Sequence, residues 1–126
     1  VKSIRNIGLM SIISYKFPIT AISSILHRIT GVVLLIATPL LVIGLGYSLA
    51  GPHGYDDVTS LVTSTWVSFF FWVFLSSITY HIFAGVRHMI MDMGFGEGMG
   101  VAKATSLLTL VLGILFAVLW GCYLWL

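Results

Sequence analysis

Apolar residues run along this chain in long blocks separated by short polar or glycine-rich breaks. Residues 29–50 are almost wholly apolar or small, and a second block starts near Val58 or Leu61. It passes through the aromatic cluster Trp66, Phe69, Phe70, Phe71, Trp72 and Phe74 and ends at about Met91; a third block fills 104–126. Each block reaches the about 20 residues needed to cross a hydrocarbon core about 30 Å thick, and none has the flanks of a signal peptide. The pattern predicts three membrane-spanning helices over residues 18–49, 61–91 and 104–126, in a single membrane-anchor domain spanning 1–126. Phe17-Pro18 marks the start of the first, since proline suits a helix's first turn. Pro39 inside it predicts a kink, which membrane helices tolerate where neighbours satisfy the freed carbonyl.

The breaks are predicted to be connectors. Gly51-Pro52-His53-Gly54-Tyr55-Asp56-Asp57 is turn-rich and acidic, while Gly94, Gly96, Gly98 and Gly100 alternate with Phe95, Glu97 and Met99 in a link too rich in glycine for a stable helix. Ahead of the first helix, Ile4, Ile7 and Met10 among Lys2, Arg5 and Lys16 give a weak interfacial surface. In the third helix Gly113, Ala117 and Gly121 form a small-xxx-small ladder. It serves close approach by another helix or is a chance spacing in a helix rich in small residues.

Composition narrows the class to all-α membrane proteins. Of 126 residues 59% are hydrophobic and 8% charged, with a mean hydropathy of +1.09; that is too little polar surface to cover a soluble globule. A net charge of +2 on scattered basic residues does not suggest nucleic-acid binding. Cys122 is the sole cysteine, which excludes a disulfide, a cysteine zinc site or a Cys-x-x-Cys-His haem attachment within the chain. Lys2, Arg5 and Lys16 precede the first helix and Arg87 and Lys103 flank the glycine link, whereas the first connector carries two aspartates and no lysine or arginine. The positive-inside rule then puts the N-terminus and the glycine link on the cytoplasmic (or matrix) side and the C-terminus outside. The start of helix one and the end of helix two share a leaflet, so their polar residues can meet.

Those polar residues are the candidate chemistry. On helix two Ser77, His81, Gly85, His88 and Asp92 follow one another at three- or four-residue steps and share a face, with Arg87 pointing elsewhere. On helix one Thr20, Ser24, His27, Arg28 and Gly31 make a second stripe. Arg28 is either a snorkelling anchor or the partner of an anion or polar ligand. His81 lies about 9 Å deeper than Arg87 at about 1.5 Å per residue, where a neutral imidazole is either hydrogen-bonded in the core or bound to a metal. Gly85, one turn on, removes a side chain where a flat macrocycle would lie close, which favours haem. His88 lies on the same helix about 10 Å along and cannot approach an iron from the opposite side. His53 is in the outer connector, and His27 sits at the level suited to propionates. Two-histidine ligation therefore requires a histidine from another chain.

The run Ser24-Ile25-Leu26-His27-Arg28-Ile29-Thr30-Gly31, together with His81-x-x-x-Gly85-x-Arg87-His88-x-x-x-Asp92, resembles the cytochrome b subunit of succinate dehydrogenase over nearly the whole chain. Phe17-Pro18-Ile19-Thr20-Ala21-Ile22 resembles the bacterial form more than the mitochondrial one, and the first residues lack the Ser-Pro-His segment common in many members. The resemblance implies a bacterial inner-membrane anchor that pairs with a second three-helix anchor subunit. It would carry the iron-sulfur and flavoprotein subunits on the inner face. It implies His81 as an axial ligand of haem b, with the second ligand from the partner anchor. Ser24, Ile25, Arg28 and Asp92 would line the ubiquinone site, with His27, Arg28 and His88 near the propionates. The rival readings are a haemless anchor and a proton-conducting transporter or channel subunit.

Overall fold

The structure, a computed structural model, describes residues 18–126; the interfacial surface expected within residues 1–16 lies outside them. Four helices follow in order: α1 (Ile19–Leu49), α2 (Pro52–Val62), α3 (Thr65–Asp92) and α4 (Met99–Trp125). Among the described residues there is no strand. The three long helices, α1, α3 and α4, are each long and apolar enough to cross a membrane, and they pack pairwise against one another. Helix α1 runs without a break through Pro39.

The first connector differs from the turn-rich loop expected, because residues 52–62 are helical. Pro52 occupies the first turn of α2, where its fixed φ is an advantage and its missing N–H is no loss. Gly54 is buried directly against the Tyr47 carbonyl of α1, so close that any Cβ would collide with backbone. The Tyr47 hydroxyl donates to Asp57 Oδ2 at 3.0 Å. A close helix crossing and a cross-helix hydrogen bond thus override local turn propensity. The expected span 61–91 accordingly begins at Thr65 instead, where the Ser64 hydroxyl caps the new helix by accepting from the Val67 N–H at 3.4 Å.

At the other end of α3 the glycine link behaves as its composition dictates. Gly94 and Gly96 take φ values of 85° and 74°, a left-handed region open to glycine at little cost. They turn the chain sharply enough for α4 to start at Met99, five residues before the expected 104.

The bundle is built inside out relative to a soluble domain. Its nearly or fully buried residues are small or polar, among them Ser23, Ser77, Ala84, Arg87, Ala102, Ser106 and Thr109. Large aliphatic residues such as Leu35, Ile36, Val42 and Ile114 lie exposed on the outside. With lipid tails as the solvent, leucine gains nothing by turning inward, so close packing and polar pairing decide what faces what.

Aromatic side chains of α3 lock onto the small-residue ladder of α4. A Cβ on Gly113 would lie 2.6 Å from Tyr80 Cδ2, and one on Gly121 would lie 3.4 Å from Trp72 Nε1. Trp72 Nε1 donates to the Ala117 carbonyl at 2.8 Å, and Trp120 Nε1 returns from α4 to Thr79 Oγ1 at 3.1 Å. The ladder therefore receives two aromatic rings. Arg87 closes the interface near the link: its Nε donates to Thr105 Oγ1 at 3.1 Å and its Nη2 to the Ala102 carbonyl at 3.2 Å. Replacing Gly113 by leucine should force the Tyr80 ring out of its seat and destabilise the bundle by about 1–3 kcal/mol, the usual range for overpacking. Thermal unfolding of the detergent-solubilised protein measures this, with Leu112→Ile as a volume-conserving control.

Candidate functional site

The stripes on α1 and α3 meet at their histidines. The His27 and His81 rings stack with centroids 4.1 Å apart and planes inclined by 17°. His27 also lies 5.0 Å from the tilted ring of His88. Since His81 and His88 are about 10 Å apart along α3, the His27 ring lies between them. Three imidazoles form a column running from the middle of the bundle toward its Asp92 end.

Glycines make this approach possible from both sides. A Cβ at Gly31 would come within 3.2 Å of His81 Cε1, and a Cβ at Gly85 would meet His27 Nε2 at 3.5 Å. Each histidine is seated over a glycine of the opposite helix. Gly85 thus makes room for His27 of this chain, a reason for its size that the spacing alone did not reveal.

The orientation of His81 is fixed by two oxygens. Its Nδ1 lies 3.1 Å from the His27 carbonyl and 3.1 Å from Thr30 Oγ1. A carbonyl can only accept, so Nδ1 carries a proton, and in the neutral imidazole the lone pair is then on Nε2. Nε2 makes no hydrogen bond among the described residues. The stack with His27 covers a face of the His81 ring and leaves the in-plane direction of that lone pair unaffected.

Above this level Tyr80 is buried and ties the same helices together, its hydroxyl lying 3.0 Å from the Ser23 carbonyl and 3.2 Å from Ser23 Oγ. Thr30, Ser23 and Tyr80 were not picked out as site residues by sequence reasoning. The signal for Thr30 was its place three residues after His27, which puts it on the same side of α1. Ser23 and Tyr80 offered no signal beyond being polar positions in apolar helices.

The α1 stripe itself divides in the structure. At about 100° per residue, Arg28 and Ile25 are turned away from α3, and both are exposed. Ser24 is half-buried on the flank between them and His27, and Asp92 is exposed at the end of α3. These four make no hydrogen bond to one another or to the histidine column among the described residues. Ser24, Arg28 and Asp92 thus present polar groups, and Ile25 an apolar one, on the surface of this chain.

Among the described residues no group of three or more His, Cys, Asp or Glu side chains converges as a metal cage. Cavities on the bundle hold about 280, 300, 200 and 260 Å³, at or below the lower end of the about 300–1,000 Å³ range usual for ligand pockets. The cavity beside the site, lined by Leu26, Thr30, Ser77, Tyr80 and Gly113, is among them.

Residues 10–121 match the family described as succinate dehydrogenase/fumarate reductase transmembrane subunit. The chain belongs to this family. It is similar to the succinate dehydrogenase cytochrome b556 subunit of Coxiella burnetii, with 32% identity over 117 residues covering 92% of this chain and 94% of that one. It is similar to the cytochrome b556 subunit of Paracoccus denitrificans at 30% identity, covering 83% and 81% of the two chains. Similarity to the cytochrome b560 subunit of Reclinomonas americana is 31%, over 94% and 90%. As a family member the chain is a membrane-anchor subunit of succinate dehydrogenase, part of a succinate:quinone oxidoreductase.

Exchanging Gly31 for valine should push the His81 ring off the His27 carbonyl, since even a Cβ there stands 3.2 Å from Cε1. The expected readout in 15N-histidine-labelled protein is a changed Nδ1/Nε2 signal pattern for His81. Gly44→Val, on the same helix with open space around it, should leave that pattern as it is.

Proposed function

We propose that this chain is the haem b-bearing anchor of a succinate:ubiquinone oxidoreductase and forms part of its quinone-reduction site. The observation that carries the reading is the pairing of His81 Nδ1 with the His27 carbonyl. It supports a neutral imidazole of fixed tautomer with Nε2 free, the state a histidine needs to ligate iron. The residues present fit the group. His81 Nε2 makes no hydrogen bond among the described residues and could hold the iron, and His27 and His88, in one column with it, could hold the propionates. His27, His88 and Arg28 can donate hydrogen bonds to those carboxylates.

In this reading a histidine of another subunit would hold the haem together with His81. His27 is stacked face to face on His81, and His88 lies on the same helix as His81, so neither stands opposite it. The small cavities of this chain also support a pocket completed by a second three-helix anchor, whose helices would cover the exposed side of the α1 stripe. Haem b, when bound, supplies a one-electron store beside the quinone site.

The quinone is the substrate, taking up two electrons from succinate, delivered through the flavoprotein and iron-sulfur subunits, and two protons. Ser24 Oγ can donate a hydrogen bond to a quinone carbonyl oxygen, and the exposed Arg28 guanidinium can stabilise negative charge developing there. Ile25 offers an apolar wall, and Asp92 at the end of α3 can hold a proton where the pocket closes. The basic Lys103 beside the glycine link supports a cytoplasmic N-terminus and link and a periplasmic C-terminus, and the similarity to cytochrome b556 subunits of Coxiella burnetii and Paracoccus denitrificans supports a place in a bacterial inner membrane.

In the purified complex a reduced-minus-oxidised spectrum should show a b-type pigment, and His81→Leu should disturb or abolish it while assembly persists. A colourless wild-type complex would favour the haemless anchor, and with it a purely hydrogen-bonding His81. Arg28→Ala should lower quinone reduction about 10- to 100-fold, the size expected for losing a hydrogen bond to a charged group, and Ser24→Ala by up to about tenfold. Succinate oxidation by an artificial acceptor should continue in both; unchanged quinone kinetics would refute these assignments.

A further inference from the structure

Resting on the reading of His81 as a haem ligand, we infer that Thr30 is a positioning residue that holds the ligand's orientation and tunes its basicity. The Thr30 hydroxyl lies 2.9 Å from the Leu26 carbonyl and 2.9 Å from the His27 carbonyl of its own helix. Its single proton is committed to those acceptors. The oxygen can then only accept from His81 Nδ1, 3.1 Å away on α3.

His81 Nδ1–H consequently faces two acceptors rather than one, the His27 carbonyl and the Thr30 oxygen, both at 3.1 Å. A single acceptor leaves an imidazole free to pivot about the bond to its Cβ. Two acceptors 2.9 Å from each other, one a backbone oxygen and one a side-chain oxygen, hold the N–H between them, and a half-turn flip would lose both bonds at once. Thr30 is well suited to the task. A β-branched side chain has few rotamers in a helix, and threonine there bonds back to the preceding turn, which aims its lone pairs across the helix interface. Hydrogen bonds accepted from the far nitrogen of a metal-bound histidine raise its basicity and favour the oxidised metal. Removing one of two should make the haem easier to reduce.

The test compares Thr30→Val, which keeps the shape and removes the acceptor, with Thr30→Ser, which keeps the acceptor, in the intact purified complex. The midpoint potential of the haem, by spectroelectrochemistry, and the low-temperature electron paramagnetic resonance of its oxidised form are read for each. Thr30→Val should retain pigment, shift the potential upward and broaden or displace the resonance, while Thr30→Ser stays close to wild type. Loss of pigment from the valine variant with retention in the serine variant also supports the inference. Wild-type potential and resonance in Thr30→Val would overturn it, as would serine and valine variants that behave alike. Failure of the underlying reading is separate, because it appears as absence of b-type pigment in the wild-type complex before any variant is made.

Discussion

Hydrocarbon offers no partner to a polar atom, and that constraint organises this molecule. Backbone groups satisfy themselves within long helices, and side-chain hydroxyls, an arginine and the imidazoles turn toward one another between the helices. Ser23 receives the Tyr80 hydroxyl, Thr105 and Ala102 receive Arg87, and His81 is held by Thr30 and the His27 carbonyl. The same constraint leaves leucines and isoleucines on the outside, where lipid or another apolar subunit suits them equally well.

Because apolar surface gives little drive for helix association in lipid, closeness has to come from shape. Glycine provides it at three kinds of contact here. Gly54 admits α2 onto the Tyr47 backbone, Gly113 and Gly121 take the rings of Tyr80 and Trp72, and Gly31 and Gly85 take the rings of His81 and His27. Close packing between α3 and α4 holds α3 rigid on one side. Its other side, facing α1, is where the histidines stand. Helices braced in this way hold the orientation of the rings between them.

Along α1, helix geometry separates two sets of side chains. Residues pointing from α1 to α3 fix an imidazole, and residues about 100° round the same helix, Ile25 and Arg28, face out of the chain. The outward set makes no hydrogen bond within this chain among the described residues. One short segment, 24–31, therefore contributes both to the internal clamp on His81 and to the exposed surface of the chain.

Much of this was legible in the sequence. Three apolar blocks of bilayer length dictated three spanning helices, and the spacing of His27, His81, Gly85 and His88 marked where polar groups would gather, because helical periodicity is a local property. The first connector was misread: Gly51, Pro52 and Gly54 carry turn signals, but the seat of Gly54 on the Tyr47 carbonyl exists only once α2 has folded back. The partner of Gly85 was equally hidden, since the ring above it comes from His27, far away along the chain. Sequence alone determined which residues are polar and which helix face they occupy. Tertiary structure alone decided which nitrogen of His81 carries the proton, because that depends on a carbonyl and a hydroxyl that another helix brings to 3.1 Å.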